Sequence, residues 1–203
     1  KFYQVLAQDI LYKNPMRNCI FLDNHDLDRF YSVYGEDIQK YKMEVNLLLT
    51  MRGIPQLYYG TEILMKNFKN PTDAEVRRDF PGGWKEDAVN KFTAAGRTDK
   101  DNEIWNLVHA LANFRKTSSA LTTGKLMQYT PVDGVYTYFR YDQKQTVMIV
   151  MNTAKTEKTI NVNDYAERAT GFSKVTNVIT GETSELRNFS LGSYQSVVLE
   201  LKN

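Results

Sequence analysis

The sequence predicts a chain that is α/β in its first part and all-β in its second, and three observations carry that prediction. Short apolar runs alternate with helical stripes up to about residue 120. Residues 121–203 contain only strand-like runs and turn signals, and no repeat or low-complexity tract interrupts either pattern. The composition, 42% hydrophobic and 12% aromatic over 203 residues, supplies enough apolar mass for a core. Its 26 basic and 24 acidic side chains leave a formal charge of +2 with both signs interspersed. That balance favours neither nucleic acid nor an anionic membrane as partner.

The elements follow in order. "FYQVLAQDILY" (residues 2–12) places Val5, Leu6, Ile10 and Leu11 near helical spacing, and Asn14-Pro15 punctuates its end. "CIFLDN" (residues 19–24) is a short continuous apolar run of the kind covered on both faces in a parallel sheet. A helix is predicted over residues 38–51, stopped by Arg52-Gly53, and "GIPQLYYG" (residues 53–60) reads as a β-rich segment bounded by glycines. Residues 61–98 form a long polar stretch, and loops of that length are functional or contain local structure. Residues 101–117 are predicted as a helix with an apolar stripe of Ile104, Leu107, Val108, Leu111 and Phe114. After Gly124, six or more short strands separated by turns imply a small antiparallel sandwich.

Cys19 is the only cysteine, which excludes an internal disulfide. The longest apolar runs, "VNLLLTM" and "TVMIVMN", are too short to span a bilayer. The chain opens at Lys1 with neither an initiator methionine nor a cleavage pattern, and is read as a piece of a longer polypeptide.

The chemistry concentrates in "FLDNHDLDRF" (residues 21–30), where Asp23, His25, Asp26, Asp28 and Arg29 follow a buried strand. In parallel barrels the reacting groups sit at the carboxyl ends of strands. Carboxylates and an imidazole clustered there suit three tasks: ligating a cation, acid-base work, or gripping vicinal hydroxyls. They are equally open to a plain reading in which Asp23 and Asn24 are turn or cap residues and Arg29 neutralises a neighbour.

"FLDNHDLDRF" followed by "GIPQLYYGTEI" resembles the last two strands of the catalytic barrel in the α-amylase superfamily of retaining glycoside hydrolases. "RRDFPGGW" (residues 77–84) narrows the resemblance toward the neopullulanase and cyclomaltodextrinase branch. The resemblance implies that residues 1–120 are the C-terminal portion of a (β/α)8 TIM barrel, about strands 7 and 8 with flanking helices. Residues 121–203 would then be the C-terminal antiparallel β-sandwich.

It further implies that Asp26 is the family's third carboxylate, holding sugar hydroxyls at the cleavage subsite, with His25 on the same ring. Asn24 would orient or contact that site. Arg29 would lie near the cleft or pair with Asp23, Asp26 or Asp28. Phe80 and Trp84 are read either as a sugar-stacking face or as buried loop anchors. The nucleophile and general acid, about 5 Å apart in a retaining enzyme, come from the fourth and fifth strands in this family, and those are not in this chain. The chain alone is therefore expected to be inactive.

The parent is expected to cleave α-1,4-glucosidic bonds of pullulan, cyclodextrins or maltodextrins. The alternatives are a non-catalytic α-glucan-binding module and a transporter-associated member of the superfamily, and the intact N-H-D argues against the last. The remainder of its own polypeptide is the expected partner. No cofactor or metal ligand is assigned here, although relatives carry calcium upstream, and a secreted or periplasmic location would suit the family.

Overall fold

The computed structural model describes residues 2–203. Its first part supplies helices α1 (Phe2–Leu6), α2 (Phe30–Val33), α3 (Ile38–Thr50), α4 (Asp99–Thr117) and α5 (Ser119–Thr122), with strands β1 (Cys19–Ile20) and β2 (Ile54–Pro55). The two strands pair parallel, Cys19 opposite Ile54 and Ile20 opposite Pro55. They are shorter than the apolar runs that predicted them. Among the described residues each strand has only the other as neighbour, so the rest of "CIFLDN" has no ladder to join. The helix expected over residues 2–12 is also broken: α1 ends at Leu6, and residues 9–11 form a separate 3-10 turn.

Both glycines bounding "GIPQLYYG" have positive φ, +106° at Gly53 and +82° at Gly60. A Cβ on Gly53 would meet the Asn18 carbonyl oxygen at 2.6 Å. The close approach of β2 to β1 therefore demands glycine there.

The second part builds one six-stranded antiparallel sheet in the order β3-β4-β5-β10-β7-β8, from β3 (Lys125–Gln128), β4 (Val135–Tyr141), β5 (Thr146–Asn152), β7 (Lys174–Asn177), β8 (Thr183–Glu185) and β10 (Ser196–Lys202). A two-stranded ribbon, β6 (Lys158–Ile160) with β9 (Phe189–Leu191), packs over it. Strand alternation divides the central residues between two cores. Tyr136, Tyr138, Val147, Ile149 and Val198 face the helices, where they meet Val45, Leu49, Ile104 and Leu111. Phe139, Met148, Val150 and Leu199 face the ribbon and meet Ile160 and Leu191. The sheet is thus covered on both sides, which explains why "TVMIVMN" is apolar throughout. Sequence reading expected strands and turns only here, but residues 162–165 form a 3-10 turn that leads into α6 (Ala166–Ala169).

Helix α4 starts two residues earlier than its stripe suggests because Thr98 and Asp101 form a capping box. Asp101 Nα donates to Thr98 Oγ1 at 3.2 Å, and Thr98 Nα donates to Asp101 Oδ2 at 2.9 Å. Lys91 Nζ stands 2.7 Å from the same carboxylate. Burial pushes this carboxyl up, but hydrogen bonds from Lys91 and Thr98 together outweigh it and hold it below 3.8. A carboxylate with a depressed folded value stabilises the fold above its unfolded value and loses that contribution as pH falls through the folded one. We expect wild type to exceed Asp101→Asn in urea midpoint at pH 7. The gap should shrink as pH drops below 3.8. A gap constant down to acid pH would show that the cap acts without its charge.

Candidate functional site

The site forms where β1 ends and the chain turns back toward α2. Asp23 is buried and its Oδ2 accepts from the Phe30 backbone N at 2.8 Å, so it fixes the start of α2 and does not face solvent. Burial, the largest influence, raises its carboxyl, against lowering by the Phe30 bond and by Arg29. Asn24 Oδ1 accepts from the Asp26 backbone N at 2.8 Å, a turn bond that shapes the loop.

That turn puts His25 and Asp26 outward, with side chains 61% and 62% exposed and His25 Nε2 3.3 Å from Asp26 Oδ2. The other carboxylate oxygen, Oδ1, accepts from Arg77 at 3.1 Å. Arg77 also donates from Nε to the His25 carbonyl at 2.9 Å and to Asp73 at 3.0 Å. Lys69 completes the clasp: its Nζ donates to the Asp26 carbonyl at 2.8 Å, and its backbone N donates to Asp28 Oδ1 at 2.7 Å. The 61–98 segment is therefore stapled across the His25-Asp26 turn, and it contains 3-10 turns at Thr61–Ile63, Asp73–Val76 and Ala94–Gly96.

Sequence reading missed Arg77 and Lys69. Their partners lie more than forty residues away, and the only available signal was the density of charge opposite another dense charge cluster.

Arg29 is corrected. It is 1% exposed, with Nε donating to the Val76 carbonyl at 2.9 Å and Nη1 donating to the Tyr59 carbonyl at 2.6 Å. Its guanidinium lies over the rings of Tyr58 and Tyr59, at 4.0 and 4.7 Å from their centroids. That environment is not the cleft, and no contact ion pair with Asp23, Asp26 or Asp28 forms, although the Arg29 charge still lowers the Asp23 carboxyl. Arg29 ties the β2 exit to the loop behind the site.

The two loop aromatics part company. Phe80 is half-buried against the exposed Phe92, centroids 4.4 Å apart. Trp84 is 62% exposed, so the anchor reading does not hold for it. Its backbone N is held by Asp87 Oδ2 at 3.1 Å, which leaves the indole free to present a face.

Chemically, the arrangement offers a carboxylate with one cationic and one imidazole neighbour. Two such partners leave part of its lone-pair capacity open to hydroxyl donors. No group of three or more His, Cys, Asp and Glu side chains arranged to hold a metal occurs among the described residues, and none of their helices is long and apolar enough to cross a membrane.

Comparison with known proteins adds to this geometry. Residues 2–103 match the family model "Alpha amylase, catalytic domain", and residues 126–200 match "Cyclo-malto-dextrinase C-terminal domain". A cyclomaltodextrin glucanotransferase of Geobacillus stearothermophilus is 25% identical over 189 residues, covering 89% of this chain and 24% of the relative. Alpha-amylase 3 of Dictyoglomus thermophilum is 27% identical over 201 residues, covering 91% and 38%. The crystal structure of the α-amylase from Geobacillus thermoleovorans complexed with acarbose shares the fold, with a TM-score of 0.75 at 22% identity, covering 99% of this chain and 42% of that one. The chain thus spans well under half the length of these relatives.

Proposed function

The chain belongs to the α-amylase family, and from that premise we propose that the whole protein is a retaining glycosidase acting on α-1,4-linked glucans. One observation carries the reading: Asp26 stands exposed at the mouth of β1, gripped by Arg77 on one carboxylate oxygen and by His25 on the other. In this role Asp26 and His25 accept and donate hydrogen bonds to hydroxyls of the sugar whose bond is broken. As that ring flattens toward an oxocarbenium ion, bonds to its hydroxyls strengthen, and only such differential binding accelerates the reaction. Asn24 sets the turn, and Trp84 offers a stacking face to a neighbouring sugar unit.

The nucleophile and general acid come from the remainder of the polypeptide, so residues 1–203 alone are inactive. The same remainder covers the apolar surface beside β1 and β2, where Phe2, Val5, Phe21 and Ile54 stand exposed and an apolar hollow of about 160 Å³ opens beside Leu22 and Leu48. Pullulan, cyclodextrins and maltodextrins are the substrates proposed, supported by the kind of C-terminal domain that residues 126–200 resemble.

Reducing-end release by the full-length protein from pullulan, β-cyclodextrin and soluble starch tests the reading. Turnover of none of them by a folded protein that still binds them would favour a glucan-binding module, the alternative to which the exposed Trp84 lends weight.

Arg77 provides a finer test. Arg77→Met removes three hydrogen bonds, to Asp26, the His25 carbonyl and Asp73. Only the one to Asp26 touches the reacting site, so kcat/KM on a maltooligosaccharide should fall about tenfold, the effect of losing one charge-assisted hydrogen bond there. The Asp26 pair is exposed, so the urea midpoint should hardly move. A fall in midpoint without a fall in kcat/KM would make Arg77 a loop brace and nothing more.

A further inference from the structure

Between the α3–α4 helix pair and the end of the six-stranded sheet lies a groove of about 540 Å³, and none of its lining residues belongs to the site described above. Its polar lining is nearly all neutral, with the amides of Asn106, Asn177 and Gln195 and the hydroxyl of Ser196. The two charges that reach it, Lys42 and Glu103, neutralise each other at 2.7 Å. The Asn177 and Gln195 side-chain oxygens already accept from backbone N–H groups, and Ser196 Oγ accepts from Asn46. The lining therefore offers nothing to an ion, and offers a polyhydroxylated ligand the Asn106 amide, the NH2 groups of Asn177 and Gln195 and the Ser196 O–H.

Two further features lie in the same groove. Asn46 is 2% exposed, with Nδ2 donating to Ser196 Oγ at 2.6 Å, while Oδ1 has no partner among the described residues. That oxygen is itself buried, so it marks an unsatisfied polar floor beneath the groove and is not a contact that a ligand in the groove reaches directly. Tyr194 holds φ at +54°, a conformation that a bulky residue keeps only where its surroundings enforce it. Lys40 Nζ sits 4.7 Å from its ring centroid. The residue also lines an adjoining hollow of about 410 Å³. Asn177, Leu191 and Val197 continue from the groove into a third hollow of about 370 Å³. The surface is therefore longer than one sugar ring and suits a chain.

We propose that this groove is a second, non-catalytic saccharide site that binds a linear α-glucan segment alongside the ring of Tyr194. The saccharide class rests on the groove itself, and its identification as an α-glucan rests on the function proposed above.

The test uses the full-length protein and two readouts: mobility in gels containing glycogen, and turnover of a short soluble maltooligosaccharide. Tyr194→Asn removes the ring but keeps a residue tolerant of positive φ. Asn106→Trp fills the groove from an exposed helix position and leaves the Tyr194 loop untouched. Each variant should weaken glycogen affinity by about fivefold or more, as loss of an aromatic contact or of groove access does, while turnover of the short substrate stays at the parent's level.

Parent-like retardation in both variants, or no retardation of the parent at all, overturns the proposal. A parent that turns over no α-glucan but is retarded through Tyr194 and Asn106 would overturn the catalytic reading and leave the groove standing.

Discussion

Asp26→Asn in the full-length protein is expected to lower kcat on maltooligosaccharides by about 10²–10³, the range seen when one transition-state hydrogen-bonding group is removed, with KM changing little. Asparagine matches the carboxylate in shape, and the Asn24 bond to the backbone of residue 26 does not involve the substituted side chain. What changes is charge, and with it one of two acceptor oxygens. An amide NH2 turned toward Arg77 would oppose a donor with a donor, so Oδ1 should keep facing Arg77 and the amide nitrogen should face His25. The sugar then loses the anionic acceptor whose bonds strengthen as positive charge develops on the ring. Ground-state affinity, set by many hydroxyl contacts, should survive. Steady-state kinetics together with binding of maltoheptaose to the variant distinguish these effects. A loss of affinity equal to the loss in kcat/KM, with kcat unchanged, would mean that Asp26 binds substrate and transition state alike, and a loss in kcat/KM under threefold would remove it from the reaction.

β1 is not the buried strand expected, since Cys19 is exposed and Ile20 only half-buried, but the position of Asp26 in an exposed turn after it was legible from "FLDNHDLDRF", a motif local to a few positions. The same holds for α4, whose stripe of Ile104, Leu107, Val108 and Leu111 is buried as its spacing implies. Arg29 was misread for the opposite reason. Its acceptors are the carbonyls of Tyr59 and Val76, and backbone acceptors leave no trace in side-chain identity. Arg77 escaped because its contact with Asp26 closes across 51 residues. The turn and helix over residues 162–169 did carry a local signal, since Asn161 caps it by accepting from the Asn163 backbone N at 3.2 Å. The alternation of strands on either side concealed it.

Arg115 and Arg140 show how far a buried charge can act without a carboxylate, and they carry the largest stability effect expected here. Arg115 Nη1 donates to the carbonyls of Leu49 and Met51 at 2.9 and 3.0 Å, and its Nη2 donates to that of Gly53 at 2.7 Å. Arg140 Nη1 donates to the Thr50 carbonyl at 2.9 Å, and its Nη2 donates to that of Gly124 at 3.1 Å. Together they close the C-terminal end of α3, where carbonyls lack helical partners and the dipole favours positive charge. They also hold the crossover from α3 into β2, and so the strand beside the site.

Removing either leaves buried carbonyls unpaired, each worth about 1–3 kcal/mol. Arg115→Met should therefore cost about 3 kcal/mol and Arg140→Met about 2 kcal/mol, after the relief of desolvation is counted. Burial first, and the neighbouring Arg115 next, disfavour the charge on Arg140. Each single substitution therefore relieves the same repulsion, which offsets part of its cost, whereas the double variant relieves it only once. The double variant should thus cost more than the sum of the singles. Urea denaturation of the three variants measures that excess directly. A double cost below the sum would mean that loss of either arginine already frays the end of α3, so that the second has nothing left to cap.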